Sequence, residues 1–65
     1  MKRYFAKPDV WYDAGTEAFL IPGTENNPPN AALFCGTKDG KLDEEYCRFD
    51  EFDVVEWPDI VDMAL

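Results

Sequence analysis

Large apolar residues occur in four short segments separated by turn residues. The first, RYFAKPDVWYD, contains Pro8, which favours an extended and irregular course over a helix. The second, TEAFLI at residues 16–21, is rich in aromatic and branched side chains and ends before Pro22, so it predicts a strand. Residues 22–30, PGTENNPPN, contain three Pro and three Asn, which predicts a loop.

The clearest pattern is a β-hairpin. AALFCG and EEYCRF flank TKDGK, in which Asp39-Gly40 is typical of a hairpin turn. With the hairpin centred near residue 41, Cys35 lies opposite Cys47. Strand alternation then places one apolar set on the inner face of the hairpin: Leu33, Cys35, Cys47 and Phe49. The outer face receives Phe34, Tyr46 and Arg48.

The C-terminal third predicts three short elements. DEF at residues 50–52 is a turn, and DVVEW at residues 53–57 is a final strand. In WPDIVDMAL, Pro58 and Asp59 suit the first turn of a helix. Such a short helix is unstable alone, so it is expected to dock on the domain, to dock on a partner or to fray.

Length and composition predict one small globular domain. The chain has 65 residues, of which 46% are hydrophobic and 15% aromatic, and a net charge of -8. The aromatic content provides a compact core, so the charge does not indicate a disordered chain. We therefore interpret residues 1–65 as a single domain, with a barrel-like body at 8–56 and a helical tail at 57–65.

The order of these parts resembles that of the Src-homology-3-like small barrels. VWYDAGTE is similar to the first strand of that fold leading into an acidic loop, and KDG resembles its tight distal turn. CRFDEFDVVE looks like the single-turn helix and closing strand that complete such barrels. The resemblance implies a mainly β fold, a small five-stranded SH3-like barrel, here followed by a short C-terminal helix. It carries architecture and not function.

Several kinds of chemistry are disfavoured by composition. The chain has no His and two Cys, which excludes a tetrahedral zinc site of N and S ligands and any triad with a His base. DEEYCRFDEFDV lacks the Gly of a calcium loop, and 65 residues rarely enclose a substrate cleft. We expect no enzymatic activity, no metal and no cofactor. A pI near 4.1 also disfavours direct binding of nucleic acid.

Location and cysteine chemistry are linked. No apolar run approaches the ~20 residues of a membrane span, and MKRYFAKPD has no apolar stretch typical of a signal peptide. We therefore expect a cytoplasmic protein, in which a structural disulfide is disfavoured. Cys35 and Cys47 are then interpreted as buried apolar residues facing each other. A cross-strand disulfide and a reactive or metal-binding pair are the alternatives.

The acidic residues are concentrated near the C-terminus. Residues 43–62 contain nine carboxylates and a single base, Arg48. If Phe49, Phe52 and Val55 point inward, the acids remain on one rim, and outward side chains of a strand repeat every ~6.6 Å, close to the spacing of successive phosphates. The predicted partner-binding residues are Asp43, Glu44, Glu45, Asp50, Glu51, Asp53 and Trp57.

Two functions follow as hypotheses. In the first, the chain is an inhibitor of the kind that phages and mobile elements encode. Its carboxylates imitate nucleic acid and occupy the basic groove of a nuclease or transcription factor, as in DNA-mimic and anti-CRISPR proteins, which it resembles in size and charge. In the second, the acids only solvate the protein, and an adaptor surface of apolar residues binds a partner or a second copy: Trp11, Tyr12, Phe34, Tyr46 or the Trp57 tail.

Overall fold

The computed structural model describes residues 1–56, which form a five-stranded antiparallel sheet. The strands are β1 Lys2–Ala6, β2 Glu17–Leu20, β3 Ala31–Lys38, β4 Lys41–Arg48 and β5 Phe52–Glu56. Within this part of the chain, the only helical element is a 3-10 turn at Phe49–Glu51. The predicted mainly β class is therefore confirmed. The helix predicted over 57–65 lies outside the described residues.

The strand order is β4-β3-β2-β1-β5. β4 and β5 are the two edges, and they do not pair with each other within residues 1–56, so the prediction of a closed barrel is wrong. β3, β2 and β1 lie in the interior of the sheet, where each strand is hydrogen-bonded on both sides. The edges are consequently the places where backbone groups face away from the sheet.

The first strand begins earlier than predicted. β1 occupies Lys2–Ala6, whereas VWYDAGTE, which was expected to begin with the first strand, lies entirely in the β1–β2 connection apart from its last residue. Pro8 and the positive backbone φ of Asp9, 64°, turn the chain away from β1. β2 at Glu17–Leu20 and the loop at 22–30 agree with the predictions.

The hairpin is present, but its predicted register is wrong. Asp39 and Gly40 both have positive φ, 52° and 79°, as a two-residue type I′ turn requires. Lys38 therefore pairs with Lys41, which shifts every later pair. Cys47 pairs with Ala32 and Cys35 with Glu44, so the two cysteines lie on opposite faces of the sheet.

The core lies on the inner face of the sheet, defined as the face of Phe34. The Phe34 side chain is 0% exposed, and its ring centroid lies 4.4 Å from that of Phe52 and 5.1 Å from that of Tyr4. The rest of the buried cluster is Ala6, Tyr12, Ala18, Ala32 and Cys47. Phe34 was predicted on the outer face, and this is wrong because the register is set by the two-residue turn.

The other predicted inner residues divide between the two faces. Phe49 is half-buried and packs against the core cluster. Leu33 and Cys35 are half-buried on the outer face, opposite Phe34. Phe52 is buried as expected, whereas Val55 is 40% exposed. Val55 pairs with Arg3 and so belongs to the outer face, which corrects the prediction that it points inward.

Candidate protein-binding surface

The edge strand β4 presents backbone groups to solvent in a pattern set by the hairpin turn. Because a type I′ turn closes on a hydrogen-bonded pair, Lys38 with Lys41, every second residue of β4 bonds to β3. These inward residues are 41, 43, 45 and 47. The N–H and C=O groups of 42, 44, 46 and 48 point away from the sheet.

Two of the outward amides are satisfied by nearby side chains. The Arg48 N–H donates to Glu51 Oε2 at 2.9 Å, and the Tyr46 N–H donates to Glu45 Oε1 at 3.2 Å. The Leu42 and Glu44 N–H groups have no hydrogen-bond partner in residues 1–56. The middle of β4 is therefore an open strand edge.

Asp43, one of the predicted contact residues, is already engaged in structure. It is half-buried on the inner face, and its Oδ2 accepts a hydrogen bond of 2.8 Å from Trp11 Nε1. The Lys38 ammonium lies 4.3 Å from the centre of the Trp11 ring, a cation–π geometry. Asp43 thus links Trp11, in the segment between β1 and β2, to the hairpin. Trp11 therefore lies beside the open edge of β4.

Asp50 and Glu51 lie in the 3-10 turn beside Arg48. The guanidinium donates from Nε and Nη2 to the two carboxylate oxygens of Asp50, both at 3.1 Å. This bidentate contact raises the pKa of Arg48. Since both side chains are about two-thirds exposed, the ion pair contributes little to stability and is open to exchange with another cation.

Glu44, Glu45 and Asp53 differ from the other predicted acids, and we refer to them as the unpaired acids. They form no salt bridge with any of residues 1–56, and all three are exposed. Glu44 lies on the outer face, Glu45 on the inner face, and Asp53 on the outer face of the opposite edge strand. The six predicted acids therefore do not form one continuous rim. Trp57 lies beyond the described residues.

The outer face carries three exposed apolar side chains, of which only Tyr46 was predicted from the sequence. Phe19 is 61% exposed and Leu42 81% exposed, and Tyr46 on the same face is 50% exposed. The cross-strand pairs Phe19–Cys35–Glu44 and Leu33–Tyr46 place them together on one face. The Asp39-Gly40 sequence could have predicted this surface, because a strict two-residue turn fixes the register and therefore which residues of β3 and β4 share a face.

Two residues of the predicted apolar surface are unavailable to a partner. Tyr12 is 2% exposed and Phe34 is 0% exposed. The Tyr12 hydroxyl lies 2.7 Å from the Phe34 carbonyl oxygen and 3.0 Å from that of Asp43, and burial raises the Tyr12 pKa. Trp11 and Tyr46 remain exposed, at 42% and 50%.

The cysteines do not form a pair. Cys47 is buried, and burial together with the nearby Glu51 carboxylate raises its thiol pKa to about 12. Such a thiol is neutral and unreactive in the folded chain. Cys35 is half-buried on the other face, so a disulfide between the two would require the sheet to reorganise.

An open cleft of about 370 Å³ lies on the inner face between β1, β2 and the loop after β2. Its lining residues are Lys2, Tyr4, Leu20, Glu25, Asn26, Phe49 and Val54. Among the described residues that line it, Lys2 and Glu25 are the only charged ones, and they are of opposite sign. Among residues 1–56, no three Cys, Asp or Glu side chains converge as metal ligands. No helix in this part of the chain is long and apolar enough to cross a membrane.

Compared with protein-family models, with curated proteins and with solved structures, the chain gives no significant match in any of the three. Its function is therefore inferred from geometry and charge.

Proposed function

We propose that this chain is a protein-binding module whose acidic surface contacts a basic surface of a partner protein. The acids of this surface are distributed over both faces of the sheet and both edge strands, and Trp57 follows them in sequence: Asp43, Glu44, Glu45, Asp50, Glu51 and Asp53. The observation that carries the proposal is the three unpaired acids, whose exposed carboxylates have no cation among residues 1–56. Crowding like charge on a small domain lowers its stability, and a cationic partner relieves that cost.

We infer further that the partner is a nucleic-acid-binding protein of the cytoplasm and that the chain inhibits it, as phage and mobile-element inhibitors do. Exposed carboxylates can accept the Arg and Lys hydrogen bonds that phosphates normally receive. Asp43 and Glu45 share a face at the two-residue repeat of a strand, roughly 7 Å, which suits a groove built for successive phosphates. Glu44 and Asp53 extend the negative field to the outer face.

We propose that the order of elements in this module is SH3-like, although its sheet is open and not closed into a barrel. Its support is the sequence of elements: a long connection after β1, a tight turn between β3 and β4, and the 3-10 turn Phe49–Glu51 directly before the closing strand β5. A fold assignment of this kind carries no function with it, so it adds nothing to the identification of the partner.

The test compares two variants of equal charge. Glu44→Gln, Glu45→Gln and Asp53→Asn together neutralise the unpaired acids. The matched control, Asp9→Asn, Glu25→Gln and Asp39→Asn, removes the same charge from exposed loop positions, and Asn tolerates the positive φ of Asp9 and Asp39. Each purified protein is immobilised, exposed to a bacterial lysate and eluted with rising salt, with and without added duplex DNA.

The proposal predicts that nucleic-acid-binding proteins elute from the wild type and from the control within a few tenths molar salt, and that added DNA displaces them. At such salt concentrations the Debye length is about 3–8 Å, so the attraction between exposed charges is largely screened. The variant lacking the unpaired acids should retain at most about a tenth of that material. Equal retention by the two variants, or retention that resists both salt and DNA, would rule the acidic surface out.

A second candidate, an adaptor that binds through apolar contact, is favoured by one observation. Phe19, Leu42 and Tyr46 are exposed together on the outer face. Here the acids only keep the protein in solution, and the complex should barely respond to salt. Phe19→Ser with Tyr46→Ser should abolish such a complex, while the same change should leave a charge-driven complex nearly intact.

A further inference from the structure

The open edge of β4 presents backbone hydrogen-bonding groups as well as acidic side chains. Leu42 and Glu44 direct their N–H and C=O groups away from β3, and neither N–H has a partner among residues 1–56. The Tyr46 carbonyl points the same way. An edge of this kind is a template for one additional strand, because the added strand satisfies the free groups in the same geometry as the sheet itself.

We propose that the partner contributes an extended, lysine- or arginine-containing segment that pairs with β4 as a sixth strand. This inference rests on the proposed function for the basic character of the partner, and it adds the mode of binding. The occupant is argued from charge: Asp43 and Glu45 flank the edge on the inner face, and Glu44 flanks it on the outer face.

The same charges argue against a second copy of this chain as the occupant. Pairing β4 with another β4 would bring the acids at 43–45 close to their equivalents at the centre of the new ladder. Like charges on facing strands destabilise a sheet, and charged edges are a known protection against self-association. With a basic segment in place of a second β4, each of these electrostatic contacts would be attractive.

The two faces of β4 also define the side-chain pattern of the segment. On the inner face, a basic residue would lie beside Asp43 or Glu45, next to the Trp11 ring. On the outer face, Leu42, Glu44 and Tyr46 follow one another, so an apolar residue fits beside Leu42 or Tyr46. The pattern is therefore basic and apolar residues in alternation, which a strand presents on its two faces.

The test uses a synthetic eight-residue peptide in which lysine alternates with valine. The control peptide has proline in place of valine, which keeps the charge and prevents strand pairing. On the protein, Leu42→Pro removes an outward N–H without disturbing the bonds to β3, and Leu42→Ala is the matched control for loss of the side chain. Circular dichroism and thermal unfolding establish that both variants are folded.

We expect the lysine–valine peptide to bind the wild type and the proline peptide to bind at least about five-fold more weakly. Leu42→Pro should weaken binding about five-fold relative to Leu42→Ala, as expected for loss of one backbone hydrogen bond. In the wild type, the peptide should slow hydrogen exchange of the Leu42 and Glu44 amides. This last readout stands even if Leu42→Pro does not fold.

Two results would overturn the strand-pairing proposal. One is equal binding of both peptides with unchanged exchange at Leu42 and Glu44. The other is no detectable binding of the lysine–valine peptide up to about 1 mM. If the unpaired acids are still required for partner capture from lysate, the proposed function survives and only the mode of binding fails. If they are not required, the proposed function fails independently.

Discussion

β3 and β4 are the two arms of one hairpin, equal in length at eight residues, yet they have opposite surroundings. In β3 no residue is fully exposed, and Phe34 is completely buried; in β4 only Cys47 is buried. Phe34 pairs directly with the exposed Glu45. The difference comes from sheet order, because β3 has a strand on each side and β4 has one. Burial in this protein is set by position in the sheet more than by the composition of a strand.

Among the changes that test the difference between β3 and β4, removal of the Phe34 side chain should have the largest effect on stability. Phe34→Ala deletes a ring that packs against Tyr4, Phe49 and Phe52, and it should lower the free energy of unfolding by about 3–5 kcal/mol. That is most of the stability expected of so small a domain. Leu42→Ala on β4, at a side chain 81% exposed, should change it by less than about 0.5 kcal/mol. Urea unfolding measures both, and similar values would contradict the comparison.

Gly36 in β3 offers a smaller and more local effect. A Cβ atom added there would lie 2.9 Å from the Tyr12 ring, which is itself buried. Gly36→Ala should therefore destabilise the domain by about 1–3 kcal/mol through overpacking. Cys35→Ala, the neighbouring change on the outer face, is the control and should cost less. If Gly36→Ala is as stable as the wild type, Tyr12 does not pack on β3 as described.

The elements from residue 16 onward were largely predictable from the sequence, but the position of β1 and the faces of the strands were not. Turn chemistry identified the loop at 22–30, the Asp39-Gly40 turn and the strand at 16–21, because Pro, Asn and Gly restrict the backbone locally. Apolar alternation alone supports two registers for β3 and β4, and pairing Cys35 with Cys47 in place of Glu44, a shift of three residues, moves Phe34 from the core to solvent. Only the strict two-residue turn selects between them.

The candidate surface was predictable in composition but not in arrangement. The sequence shows an excess of acids, yet it does not show that Asp43 accepts from Trp11 or that Asp50 pairs with Arg48. Those contacts depend on long-range docking of the β1–β2 connection and on the 3-10 turn. The open edge of β4 was also invisible, since strand order is a non-local property.

Asp13, in the segment between β1 and β2, accepts hydrogen bonds from the hairpin turn, and its contribution to folding stability depends on pH. Its two carboxylate oxygens accept the backbone N–H groups of Asp39 and Gly40, both at 2.9 Å, which lowers the Asp13 pKa. The folded pKa lies below the unfolded value of 3.8, so the stabilisation is present above pH 3.8 and is lost as pH falls through the folded pKa.

The stability difference between the wild type and Asp13→Asn should therefore be largest near neutral pH and should shrink as the pH is lowered below about 4. Thermal unfolding between pH 7 and pH 3 measures it, and the titration of other carboxylates, including Glu17 beside Arg3, largely cancels in the difference. A difference that is constant over this range would show that the Asp13 carboxylate makes no such bonds.

The two cysteines are exceptions to the difference in burial between β3 and β4. Their labelling tests the assignment of faces without changing the stability of the domain. In the exposed strand β4 Cys47 is buried, with a pKa raised to about 12, while in the buried strand β3 Cys35 faces outward. Iodoacetamide should therefore alkylate Cys35 first and leave Cys47 unmodified until the domain unfolds. Mass spectrometry of digested protein assigns the site. Preferential labelling of Cys47 would reverse the assignment of faces.

The central claim is that β4 is an open, acid-flanked strand edge whose outward groups alternate with groups bonded to β3. Residue-resolved amide hydrogen exchange of the free wild-type protein tests it most directly. We predict rapid exchange at Leu42 and Glu44 and protection of about 100-fold or more at Asp43, Glu45 and Cys47. Protection at Leu42 and Glu44 equal to that of their neighbours would mean that the edge is already covered, and it would contradict the claim.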